Sequence, residues 1–161
     1  MCPFAYLSSA DLSGADLSGA NFFGVTLSIA NLSKANLSKA DLSSADMSVS
    51  NLSGANLSGA VLSSARFTGA NLTNTNLRGA YLLNAYFDRA LLVNANLVDA
   101  DMSVANLYGA NLTSADLTNV NLFGADLTGA SLTNVKLTGA RWGNTTCPDG
   151  SNSDIRPRCG F

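Results

Sequence analysis

From Leu7 to Trp142 an apolar residue returns at every fifth position without insertion or deletion, giving 28 consecutive five-residue units. The unit reads Ala, then Asp or Asn, then Leu, then Ser or Thr, then a small residue, as in Ala15-Asp16-Leu17-Ser18-Gly19. A period of five suits neither ordinary element. On an α-helix a five-residue step leaves a net rotation of about 140°, which scatters the leucines around the circumference. On a straight strand an odd step puts successive leucines on opposite sides, although Ala and Leu within one unit share a side. The chain therefore has to turn after every Ala-x-Leu step. The Gly, Asn, Ser, Lys and Asp residues that follow belong at the bends and on the surface.

Such repetition predicts an elongated solenoid whose turns touch only their neighbours and whose core is one residue deep. Charged residues are 12% of the 161, Glu and His are absent, and the net charge is −2. Typical domains carry roughly 25% charged residues, so solubility here rests on Ser, Thr, Asn and Gly. No apolar run is long enough to cross a membrane as a helix, so membrane insertion is not expected. Nor does a charged-then-apolar signal segment follow Met1.

The tandem Ala-(Asp/Asn)-Leu-(Ser/Thr)-x pattern, seen again at Ala35-Asn36-Leu37-Ser38-Lys39 and Ala125-Asp126-Leu127-Thr128-Gly129, resembles the pentapeptide-repeat family over most of the chain. The resemblance implies an all-β fold, a right-handed quadrilateral parallel β-helix with four units per square coil. Periodicity alone does not separate four corners from three or five. On that reading the units make about seven coils, a rod about 35 Å long at a ladder spacing of roughly 4.8 Å. The expected division is a lead-in over 1–6, the β-helix over 7–142 and a capping tail over 143–161. The central residue is Leu except at Phe22, Met47, Phe67, Phe87, Met102 and Trp142, all expected in the core. Twenty residues per coil stacks Phe67 on Phe87, worth about 0.5–1.5 kcal/mol beyond burial. At the start, Phe4 and Pro3 are expected to shield the first edge. Cys2 falls in phase as a central residue, either a buried thiol or a site of pairing with another chain.

Outward positions are where function has room, so departures from the repeat matter most. Residues 81 to 100 depart furthest, placing Tyr81, Leu83, Tyr86, Leu91, Val93 and Val98 at positions expected to face solvent. With Arg89, Asp88 and Asp99 at its border, this apolar belt has the anchors and rim of an association surface, although drift in a tolerant scaffold is the simpler account of it. Phe23, Leu83 and Phe123 differ by multiples of twenty and share a face of a four-cornered coil, with Ser43, Ser63 and Ser103 between them. The expected partner is an unidentified protein or a second copy of the chain.

Catalysis lacks its groups. There is no His or Glu for general base work, no Gly-rich phosphate loop, and each Ser or Thr of the coil is part of the repeat. No cofactor or metal is expected: Asp149, Ser151, Ser153 and Asp154 lack the bidentate Glu of a calcium loop. Asn-Leu-Ser/Thr triplets match a glycosylation sequon only because they are the repeat. A Ser/Thr row broken by Val93 is a poor lattice for ice. Nucleic-acid binding lacks a basic stripe. The reading is a non-enzymatic structural or interaction scaffold. The alternative is a regulator of a topoisomerase or another protein acting through a lateral face, the DNA-mimic type known in the resembled family. Carboxylates interleaved with Lys and Arg disfavour it.

The stretch from Trp142 through Cys147-Pro148-Asp149-Gly150 to Cys159 is similar to the terminal segment of exported bacterial members. That similarity implies a Cys147–Cys159 disulfide, and with it a periplasmic, extracellular or thylakoid-lumen-like location. Without the bond the expectation is the cytoplasm.

Overall fold

The structure, a computed structural model, describes residues 6–153 and Cys159. The readings of Cys2, Pro3 and Phe4, and of Asp154, lie outside the described residues. Every residue preceding a central apolar one forms a parallel bridge with the residue twenty positions on, from Tyr6 with Thr26 to Asp126 with Thr146. Four units therefore complete one turn, and the rod has four flat sides. We label them by their central columns: face I carries Leu27, Met47, Phe67 and Phe87; face II Leu32 and Leu52; face III Leu37 and Leu57; face IV Phe22, Leu42 and Leu62. Among the described residues no strand is longer than one bridge. A bend every five residues leaves a single paired position per side, so the expected β architecture appears as a ladder without strands.

Each letter of the unit satisfies a backbone group, and the accounting closes over all five amides. In the unit from Ala10 to Gly14, the Leu12 amide donates to the next coil at Asn31 O (2.8 Å), and the Gly14 amide to Ser33 O (2.9 Å). One coil on, Asn31 N donates back to Ala10 O at 2.9 Å. The Ala15 amide closes the turn on Leu12 O at 3.1 Å. That leaves the Ser13 amide, which donates to the Asp11 side chain at Oδ1, 3.1 Å away. Asp or Asn is thus required at the bridge position because it supplies the one acceptor the backbone lacks.

The turn that follows each Leu has a positive φ at its third residue only, the pattern of a type II turn. Gly, Asn and Asp accept that conformation at little cost, whereas β-branched residues do not. Ile29, Val49 and Val104 nevertheless hold φ of 62°, 59° and 58°. Their side chains project into solvent, 64%, 64% and 52% exposed, so packing does not offset the strain.

Inside, Ala and Leu columns are fully buried from Val25 to Leu127. Phe67 and Phe87 stack with ring centroids 4.8 Å apart and planes 6° from parallel, and Met102 is buried with them. Phe22 and Trp142 lie near the two ends of the column and are only partly covered. Three hydroxyl residues occupy Ala positions, each donating to a backbone carbonyl: Ser50 to Met47 O, Thr75 to Leu52 O, and Thr145 to Leu122 O.

The coil phase also runs further than the expected boundary at Trp142. Thr145 stands in the Ala position, Thr146 bridges Asp126, and Cys147 is buried where a Leu belongs. The sequence conceals this because neither the Ala nor the Leu of the unit is present. At Cys147-Pro148-Asp149-Gly150 the turn changes: Asp149 is not in the left-handed region, and Gly150 is, at φ 79°. A type I turn followed by a left-handed Gly reverses the chain into a hairpin. Asn152 then pairs antiparallel with Thr146, and Cys147 N donates to Ser151 O at 2.7 Å. The hairpin covers the open ladder edge on face I, and Cys147 is disulfide-bonded to Cys159.

Two outcomes follow from strain and from the cap. Replacing Ile29, Val49 or Val104 by Gly relieves the left-handed strain and raises unfolding free energy in denaturant melts by about 1 kcal/mol each. Reduction of Cys147–Cys159 removes about 3 kcal/mol of loop restriction. Because a solenoid opens from its ends, limited proteolysis then shows early cleavage near the C-terminus while the middle coils keep their protection.

Candidate functional site

The bridge partners decide which outward residues share a side. Tyr81 and Leu83 stand on face IV, Tyr86 on face I, Leu91 and Val93 on face II, and Val98 on face III. The belt of residues 81 to 100 therefore circles the rod, and a flat partner meets only one quarter of it at a time. Tyr86, Val93 and Val98 are moreover half-buried. The Arg66 guanidinium lies over the Tyr86 ring, 5.5 Å from its centroid, and so covers it.

Faces II and III are closed by amide ladders over their first half. On face II the Asn71 amide donates to Asn51, Asn51 to Asn31, and Asn31 to Asp11. On face III Asn76, Asn56, Asn36 and Asp16 repeat the pattern. Both ladders end on a carboxylate, which accepts without having to donate. The Ser13 hydroxyl and amide hold the Asp11 carboxyl below its usual range, and Ser18 does the same for Asp16. Two ion pairs, Arg78–Asp99 and Lys136–Asp116, add to face III.

Face IV breaks this pattern, as face I does at Arg66 and Tyr86. Val61 and Tyr81 replace the Asx residue in adjacent coils and bridge each other. Without that acceptor, the Ser63 and Leu83 amides have no hydrogen-bond partner among the described residues. Tyr81, Leu83 and Phe123 are 57%, 48% and 56% exposed, and the strained Val104 stands at the corner of the same face. Phe123 leans over the next coil, where a Cβ on Gly143 would come within 2.7 Å of its ring, so Gly there seats the ring. The column of Phe23, Leu83 and Phe123 does lie on this one face, and Val61 and Val104, which extend it, were not among the residues singled out in the sequence. Reading the outward positions in columns of twenty would have found them.

Elsewhere the surface is chemically quiet. A depression of about 350 Å³ at the C-terminal end is lined by Ala130, Ser131, Leu132, Thr133 and Pro148, none of them titratable. No group of three potential metal ligands occurs among the described residues. No helix there is long and apolar enough to cross a membrane.

The family model for pentapeptide repeats matches eight copies between residues 4 and 141. The chain belongs to the pentapeptide-repeat family. The solved neighbours of this family member carry the right-handed quadrilateral β-helix. One is HetL of the cyanobacterium Nostoc sp. PCC 7120, a pentapeptide-repeat protein involved in regulating heterocyst differentiation. It is 36% identical, with a TM-score of 0.54 over 92% of this chain and 73% of HetL. Another is full-length QnrB1, a plasmid-mediated fluoroquinolone resistance protein, 22% identical with a TM-score of 0.41 over 84% of this chain and 80% of that one. A pentapeptide-repeat protein of the Arabidopsis thaliana thylakoid lumen is 28% identical with a TM-score of 0.28, over 92% of this chain and 91% of that one. No curated protein matches the sequence.

The hydrogen-bond accounting predicts a stability gain on returning face IV to the repeat. Tyr81→Asn supplies the acceptor that the Leu83 amide lacks and raises unfolding free energy by about 1 kcal/mol. Asn56→Ala removes an acceptor and a ladder rung together and lowers it by about 1–2 kcal/mol, both read from denaturant midpoints.

Proposed function

We propose that this protein is a non-enzymatic interaction scaffold, a rod of about seven coils that begins at residue 7 and keeps its phase past 142 to Cys147, with a C-terminal cap, that binds a protein partner through face IV. The observation that carries this reading is the run of exposed apolar residues on consecutive coils of that face, kept there at a local cost that no internal contact returns. Val61 and Tyr81 leave two backbone amides unpaired, Val104 keeps a strained backbone, and Leu83 and Phe123 stay in water. A face that stores strain and exposes apolar anchors is the part of a repeat scaffold that a partner repays. The Cys147–Cys159 disulfide supports a site of action in an oxidising compartment. The experiment is a pull-down from the source cell with the wild-type rod and with a Tyr81→Asn, Leu83→Ser, Phe123→Ser variant. Loss of the bound protein from a variant that melts no lower than the wild type is expected; an unchanged set of partners rejects face IV.

The DNA-mimic alternative is disfavoured by how the carboxylates fall on the faces. Asp41 and Asp101 stand on face IV, Asp46 and Asp126 on face I, and Asp16 and Asp116 on face III, never in neighbouring coils of one column. A continuous row at phosphate spacing does not form, and Lys136 neutralises Asp116. A supercoiling assay is therefore expected to show no gyrase inhibition at stoichiometric protein. Inhibition that disappears in Asp116→Asn, Asp126→Asn would establish the mimic instead.

A further inference from the structure

We infer that the partner of face IV is a second copy of this chain, laid against the first in antiparallel orientation. The inference rests on the assignment of face IV as the contact surface and adds the identity of what covers it. Closed symmetric pairing of like chains through one self-complementary patch is the commonest way such a surface is satisfied.

The bridge column of face IV reads, coil by coil, Asn21, Asp41, Val61, Tyr81, Asp101, Asn121 and Arg141. A twofold axis lying in the plane of the face and perpendicular to the rod sets this column against its own reverse. Centring the axis between the coils of Tyr81 and Asp101 places Asp41 of each copy opposite Arg141 of the other, twice by symmetry. The same register sets each Tyr81, whose phenol donates, against an Asp101 carboxylate, which accepts. Val61 and Tyr81, which left the Ser63 and Leu83 amides without an acceptor, then face Asn121 and Asp101, whose side chains carry one. Moving the axis by half a coil, onto Tyr81 itself, sets Val61 against Asp101 and leaves Arg141 opposite Asn21. Charge therefore selects the first register. Both of its charged residues are available: Arg141 is exposed, and neither Asp41 nor Arg141 forms an ion pair among the described residues.

The apolar residues fit this arrangement as the centre of a polar-rimmed contact. Leu83 lies beside the axis, Val104 edges the same coils, and the Asp41–Arg141 pairs stand at the two ends. Pairing of this kind is steered by the terminal charges and weakens as salt screens them.

Sedimentation equilibrium of the full chain over a concentration series, at low and high salt, tests the inference. The wild type is expected to interconvert between monomer and dimer, with weaker association at high salt. Asp41→Arg and Arg141→Asp each raise the dissociation constant at least about tenfold, and combining them restores it to within about threefold of wild type, because the pair is only reversed. Asp41→Asn, which retains the acceptor for the Ser43 amide, weakens association without disturbing the turn and so separates charge from folding. A wild-type chain that stays monomeric at every concentration overturns the pairing and leaves face IV to a different protein. So does a dimer whose charge-swapped double variant is not rescued. A dimer that persists in the Tyr81→Asn, Leu83→Ser, Phe123→Ser variant overturns the pairing and the face IV assignment together.

Discussion

The structure depends on one constraint: a chain that bends every five residues cannot form strands, so each of its amides has to find an acceptor singly, in a neighbouring coil, in the turn or on a side chain. Three of the five amides in each unit are satisfied axially by neighbouring coils and a fourth by the turn. The fifth needs a side chain, which is why Asp or Asn recurs before the central Leu. The Asn ladders grow from this local duty, since an Asn that accepts from its own coil still has an amide to offer the coil before it. Local turn chemistry and long-range stacking are in this sense one network.

That economy leaves little room for chemistry inside. Ala and Leu fill the column from Val25 to Leu127, and each hydroxyl that intrudes is satisfied by a carbonyl of the wall. Interest shifts to residues that break the surface rules. Replacing an Asx costs an acceptor, and placing Val or Ile at a left-handed position costs backbone strain. Both costs fall on face IV, where Val61, Tyr81 and Val104 occur within a few coils of one another, and both fall on face I, where Arg66 and Tyr86 replace adjacent Asx residues and Ile29 and Val49 are strained. Ile29 and Val49, at the corner after face I, are strained in the same way, with Tyr6 exposed one coil before Ile29. What distinguishes face IV is that its exposed apolar residues Tyr81, Leu83, Val104 and Phe123 stand in consecutive coils of one side, whereas on face I Arg66 lies over Tyr86.

The end of the rod follows from the same rules. A stack of coils terminates in unpaired backbone, and the chain answers by switching from a type II to a type I turn after Cys147 and folding a hairpin back over face I. The disulfide to Cys159 holds that hairpin where a solenoid is weakest.

The sequence by itself determined the unit and the inward residues, because in a five-residue period with one apolar beat the Ala and Leu of each unit, two apart, share a side. The Phe67–Phe87 stack was legible too, once the resemblance supplied four units per coil, and the similarity of the tail to that of exported members implied the cysteine pairing. What only the tertiary structure decided is which outward residues are neighbours. Adjacency on the surface runs in steps of twenty, so the six outward apolar residues between Tyr81 and Val98 disperse to four sides, while Val61, Tyr81, Leu83, Val104 and Phe123 gather on one. The continuation through Thr145 and Cys147 was hidden for a related reason: in the ladder a residue's place is set by hydrogen bonds to the coil before it, and those bonds accept Thr or Cys where the repeat would have written Ala or Leu.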